Sequence, residues 1–147
     1  MLLIGYGNTL RGDDALGPMA IERLRPLLPD VECLSCQQLV PELAERVAEC
    51  ELALFVDAAC NGEPGAVRTE RLSPKPGGAA SLTHHVEAAA LLELAQALYG
   101  RVPQAVLVTG AGADFGSREG LSEQGQQALT EICRLIPQLI QDSSAIR

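Results

Sequence analysis

Apolar and polar positions alternate along this chain between short solid runs and longer helical stripes. Residues 1–4 (MLLI) and 52–56 (LALFV) are apolar runs too short for globular helices, and both predict buried strands. Residues 106–109 (VLVT) predict the last strand, and residues 31–34 a strand between the first two. Residues 66–72 alternate after the turn signal NGEPG at 61–65, which predicts an edge strand.

Between these runs the spacing turns helical. Leu16, Ala20, Ile21 and Leu24 share one side of a helix predicted over 15–24, with Pro18 in its first turn and Pro26 stopping it. A short helix from about Pro41 turns Leu43, Val47 and Ala48 inward and Glu42, Glu45 and Arg46 outward. A longer one over 84–99, capped by Thr83, puts Val86, Ala90, Leu91, Leu94 and Leu98 on one face. Ser122 caps the last helix, whose inner face is Ala128, Leu129, Ile132, Cys133, Ile136 and Ile140. Pro137 is expected to kink it or end it early, and residues 142–147 to fray. Gly5, Gly7 and Asn8 predict a tight turn after the first strand, and Asp13 or Asp14 is suited to cap the helix that follows. Residues 73–82 (SPKPGGAASL) are the most loop-like stretch, and 110–120 are glycine-rich and irregular. Strands and helices alternating without repeats over 147 residues predict one α/β domain covering residues 1–147.

Charge narrows the partners. Nineteen Asp and Glu against eleven Lys and Arg leave a net charge of −8, which argues against nucleic acid and anionic membrane as partners. Two Tyr, two Phe and no Trp leave little to stack bases on. No apolar run reaches the roughly eighteen residues of a membrane span, and Met1 leads straight into the first strand. A cytoplasmic, soluble protein is expected. Five cysteines, an odd number, fit reduced thiols. Cys33 and Cys36 spell CxxC, but residues three apart on a strand point to opposite faces and do not chelate.

Ligands of open α/β sheets bind beyond the carboxyl ends of the strands. Asp14 or Asp13 follows the first such end, Asp57 follows the third strand, and His84 or His85 follows the long loop. Two carboxylates about 5 Å apart at an effective dielectric of ~20 repel by roughly 3 kcal/mol. Such a pair calls for a proton or a cation. With an imidazole they make a three-ligand set suited to nickel or zinc, with a position left open. Each member also has a plainer role, as a helix cap, a turn residue or a helix start. Cys60 with His84 as base is a second arrangement, although a small buried cysteine is the commoner case. Gly5 and Gly7 supply two glycines of GxGxxG, but Leu10 holds the third place and the aspartates would repel a phosphate. The chain lacks a Walker A motif, HExxH and GxSxG.

Taken together, GYGNTLRGDDALG, the strand ending FVDA, the loop ending SLTHH and the later GLS resemble the hydrogenase maturation endopeptidases, over residues 1 to about 140. The segment QQLVPELAE at 37–45 looks most like the branch serving bidirectional NAD(P)-linked [NiFe]-hydrogenases. The resemblance implies a three-layer α/β/α sandwich around a twisted, mostly parallel five-stranded sheet. It implies an endopeptidase that removes the C-terminal extension of a [NiFe]-hydrogenase large-subunit precursor once nickel is in place. By position, Asp14, Asp57 and His84 correspond to the family's nickel-sensing and catalytic residues. His84 is taken over His85 because counting back from Leu91 and Leu92 reaches it and because it directly follows Thr83. Nickel would arrive with the precursor, with no tightly bound cofactor of the chain's own, although zinc suits the same donors. A monomer is expected, and the loop at 73–82 is a candidate clamp on the substrate. Ala15 departs from the pattern, since many members have Gly there. A nickel-binding or delivery protein without peptidase activity is the rival reading, and the lack of a His-rich or Cys-rich tract counts against it.

Overall fold

The solid apolar runs form the middle of one sheet. The computed structural model describes the backbone of residues 1–75 and 84–145 and the side chains of residues 1–75 and 87–143. In chain order the elements are β1 (Leu2–Tyr6), α1 (Leu16–Leu24), β2 (Glu32–Cys36), α2 (Ala44–Glu49), β3 (Leu52–Ala59), β4 (Val67–Leu72), α3 (His84–Tyr99), β5 (Gln104–Ala111) and α4 (Glu123–Ala145). The sheet runs β2-β1-β3-β5-β4. β2, β1, β3 and β5 are parallel, and β4 lies antiparallel on the edge beside β5. β1 and β3 are buried on both faces, as continuous apolar runs require in a covered parallel sheet.

Two cores lie on opposite faces. On one, Leu16, Ile21 and Leu24 of α1 and Leu129, Ile132 and Ile136 of α4 pack on Leu3, Leu54 and Val108. On the other, Val47 of α2 and Ala88, Leu91, Leu92 and Ala95 of α3 pack on Leu2, Ile4, Phe55 and Leu107. The result is the three-layer α/β/α arrangement. Cys33 joins the first core and Cys36 the second, so the CxxC pair is split between faces.

Several local expectations change. Gly5 lies inside β1, not in the turn, because the strand runs on to Tyr6. A Cβ on Gly5 would collide with the Gly17 carbonyl, and one on Gly17 would come within 2.6 Å of backbone atoms of Tyr6 and Val56. α1 therefore lies directly against the sheet. Gly17→Ala is expected to push helix and sheet apart at a cost of about 1–3 kcal/mol, read as a lower denaturant midpoint with an unchanged slope. β3 does not stop at Asp57, because β5 runs alongside and pairs Asp57 with Thr109, Ala58 with Gly110 and Ala59 with Ala111.

Neither aspartate caps α1. Gly12–Ala15 form one 3-10 turn, and the residue ahead of α1, Ala15, has no side-chain cap. The inward face of α3 is only in part the one predicted: Leu91 is buried and Leu94 packs on the core, but Leu98 is exposed, while Ala88 and Ala95 are buried. This helix is apolar almost all round, so spacing alone did not mark its stripe. α4 continues through Pro137 to Ala145, which also holds residues 142–145 in helix. The one backbone bond a proline forgoes is outweighed by Ile136, Leu139 and Ile140, which keep packing on the core. Among the described residues no helix is long and apolar enough to cross a membrane.

Candidate active site

Strand order reverses between β1 and β3, since β2 lies to one side of β1 while β3, β5 and β4 lie to the other. Such a reversal opens a crevice at the carboxyl ends of the strands. Asp14 comes from the turn after β1 and Asp57 from near the end of β3, one from each side of the reversal. Both line a single cavity of about 730 Å³, together with Arg11, Cys60, Arg68, Thr109 and Phe115.

Asp14 is held by the backbone of its own motif. Asn8 donates its N–H to Asp14 Oδ2 at 2.7 Å, while the Asn8 side chain accepts from the Leu10 N–H at 2.9 Å. A Cβ on Gly7 would run into the Asp14 carbonyl, so glycine is needed for the motif to close on itself. The carboxylate thus has one oxygen tied to the turn and the group as a whole half-buried at the cavity.

Asp57 is almost fully buried, with 1% of its surface exposed. Its Oδ1 accepts the Ala58 N–H at 2.8 Å, and it shares a hydrogen bond with the Tyr6 side chain. Burial pushes the Tyr6 phenol far above its usual value, and the charges of Asp57 and Glu87 push it the same way. Tyr6 is therefore protonated and donates. α3 packs on this same face of the sheet through Ala88, Leu91 and Leu92, and His84 and His85 open that helix.

The neighbouring Asp13 does something else. It is completely buried, with Oδ2 accepting the N–H groups of Ala113 (2.7 Å) and Asp114 (3.0 Å) and the Ser122 hydroxyl (2.6 Å). Its Oδ1 accepts the Ser122 N–H at 2.8 Å. Burial alone would raise this carboxyl, but the Ser122 hydroxyl and the three N–H groups together bring it below its ordinary value. Ser122 in turn caps α4 by accepting the Gly125 N–H at 3.0 Å, as predicted. Asp13 thus ties the opening motif to the loop between β5 and α4.

The structure brings Asp14 and Asp57 to one cavity and separates Asp13 from it. The side chains of His84 and His85 lie outside the described residues, as do Thr83 and the part of the loop from 76 to 82. Among the described residues no three His, Cys, Asp or Glu side chains gather closely enough to hold a metal ion. The donors present are two carboxylates, hard oxygen ligands suited to a divalent cation. Cys60 is exposed at the cavity, not buried as the commoner case would have it. Sequence reasoning missed Tyr6, Thr109 and Arg68. The signal for Tyr6 was available: Leu2, Ile4 and Tyr6 share one face of β1, and only the last carries a polar end. Thr109 and Arg68 depend on register, since Thr109 pairs with Asp57 on one side and with Arg68 on the other.

Neither a family model nor a curated protein matches the chain. Solved structures do. The [NiFe] hydrogenase maturation protease HycI from Thermococcus kodakarensis KOD1 is 29% identical, with 95% of this chain and 91% of that one aligned at a TM-score of 0.72. The hydrogenase maturating endopeptidase HybD from E. coli shares the fold at 21% identity, covering 97% of this chain and 92% of its own at a TM-score of 0.77. The hydrogenase 2 maturation peptidase from Thaumarchaeota archaeon SCGC_AB-539-E09 does so at 24% identity, 95% and 96% coverage and a TM-score of 0.72. With a five-stranded mostly parallel sheet, Asp14 and Asp57 at one crevice, and this likeness along nearly its whole length, the chain is similar in sequence and fold to a hydrogenase maturation protease.

Proposed function

We propose that this protein is a peptidase that removes the C-terminal extension of a [NiFe]-hydrogenase large-subunit precursor after nickel has been inserted, and that it meets the nickel through Asp14, Asp57 and His84. The observation that carries the reading is the shared cavity, with Asp14 and Asp57 entering it from the two sides of the strand reversal. Two carboxylates on one cavity are an unfavourable arrangement by themselves and a favourable one around a cation. Nickel is here part of the substrate, delivered with the precursor. Affinity then depends on metallation, which makes the processing step a checkpoint by differential binding.

Two routes to hydrolysis suit these groups. The substrate's metal can polarise the scissile carbonyl, or a carboxylate can take a proton from the attacking water. The likeness of residues 37–45 to the bidirectional NAD(P)-linked branch points to that class of hydrogenase as the partner, in the cytoplasm.

Mass spectrometry of the precursor mixed with this protein, with and without nickel, tests the reading. The expected result is a shortened large subunit in the nickel-loaded sample only. Equal cleavage of both samples would remove the checkpoint, and cleavage of neither would remove the assigned reaction.

A further inference from the structure

The phenol of Tyr6 is a buried polar group with no part in the function so far. Tyr6 is the last residue of β1, and β1 pairs with β3 in a register that sets Ile4 beside Phe55 and Gly5 beside Val56. Continuing that register brings Tyr6 level with Asp57, and Ile4, Tyr6 and Phe55 all join the core on the α2 and α3 face. The ring is wholly inaccessible to solvent, and its hydroxyl is hydrogen-bonded to Asp57.

We infer that Tyr6 is a positioning residue for the peptidase reaction, clamping the Asp57 carboxylate from beneath the crevice so that its remaining lone pairs face the incoming substrate. An ionised carboxylate offers about four lone-pair sites. The Ala58 N–H occupies one at Oδ1, and the Tyr6 hydroxyl occupies another. Donors from two neighbouring strands thus restrain the carboxylate from the sheet side. Support of this kind from outside the reacting shell is typically worth 10–100-fold in affinity or activity. The ring suits the task because its body packs among Leu2, Ile4 and Phe55 while its tip alone is polar. A phenylalanine would fill the same space and remove this hydrogen bond from Asp57.

This inference rests on the proposed reaction, so its test begins with the wild-type chain and nickel-loaded precursor. If the wild type does not cleave, the proposed function fails and not the role of Tyr6. If it does, Tyr6→Phe should lower kcat about tenfold or more while KM for the precursor stays within about twofold, because docking surfaces are untouched. Ile136→Val, a core change on the far face of the sheet, serves as the comparison for any loss of stability. It should show a similar drop in thermal midpoint and a normal kcat. A normal kcat in Tyr6→Phe would overturn the inference. So would an equal loss in Ile136→Val, since the effect would then follow from stability alone.

Discussion

Asp57→Asn should leave the nickel-loaded precursor uncut, with a rate at least about 100-fold below wild type, beyond what loss of a supporting hydrogen bond costs. The substitution is nearly isosteric. The amide oxygen can still accept from Ala58, and Tyr6 can turn its hydroxyl to accept from the new NH2 group, so the chain should fold. What disappears is the negative charge at a position with almost no contact with water. A charge held at a position so nearly buried is costly to the free protein. Its removal should therefore hold or raise the thermal midpoint while activity is lost, the usual trade between stability and a strained site.

Processing assays on Asp14→Asn check the other member of the pair, with the same expected loss. His84→Ala and His85→Ala, measured side by side, separate the two histidines: loss is expected in the first and near-normal processing in the second. If Asp14, Asp57 and His84 variants all process the precursor at the wild-type rate, the chemistry lies elsewhere.

Much of this arrangement was readable in the residues because the physics involved is local. Unbroken apolar runs such as LALFV admit few alternatives to a buried strand, and Ser122 ahead of an amphipathic stripe marks a helix start whatever surrounds it. The failures are equally physical. α3 is apolar on nearly every side, so its inward face is chosen by α2 and the sheet and not by its own pattern. β3 runs past Asp57 because β5 offers it partners as far as Ala111, which is a property of another strand. The helix goes through Pro137 because tertiary contacts on both sides exceed the value of one hydrogen bond.

The two adjacent aspartates show the limit most clearly. At the level of sequence both suit a helix cap, and position within the opening motif picks out Asp14. Only the fold reveals that Asp13 is taken up by Ala113, Asp114 and Ser122, a hundred residues away. Long-range hydrogen bonds leave no periodic trace along the chain. Gly112 and Gly125 are indirect signs of them, since a Cβ at either would collide with the Asp13 side chain.

That network makes Asp13→Asn the substitution with the largest expected effect on stability. All four bonds to the Asp13 carboxylate come from donors, and none of the three N–H groups can reverse its role. An asparagine has one oxygen where the aspartate had two, and its NH2 must face a donor whichever way it is turned. Hydrogen bonds to a charged group are worth about 1.5–3 kcal/mol each, and a buried donor left unmade adds its own penalty. A loss of about 3–5 kcal/mol is expected, which for a chain of this size is a fall of roughly 6–20 °C in thermal midpoint. Acid gives the second half of the test. The folded Asp13 carboxyl titrates below its ordinary value, so its contribution is complete above the unfolded-state carboxylate range and disappears as pH falls through the folded value. The stability gap between wild type and Asp13→Asn, followed by denaturant titration, should therefore be widest near neutral pH and narrow as the solution is acidified. A gap that stays constant to low pH would mean that the anion is not what holds the opening motif to the start of α4.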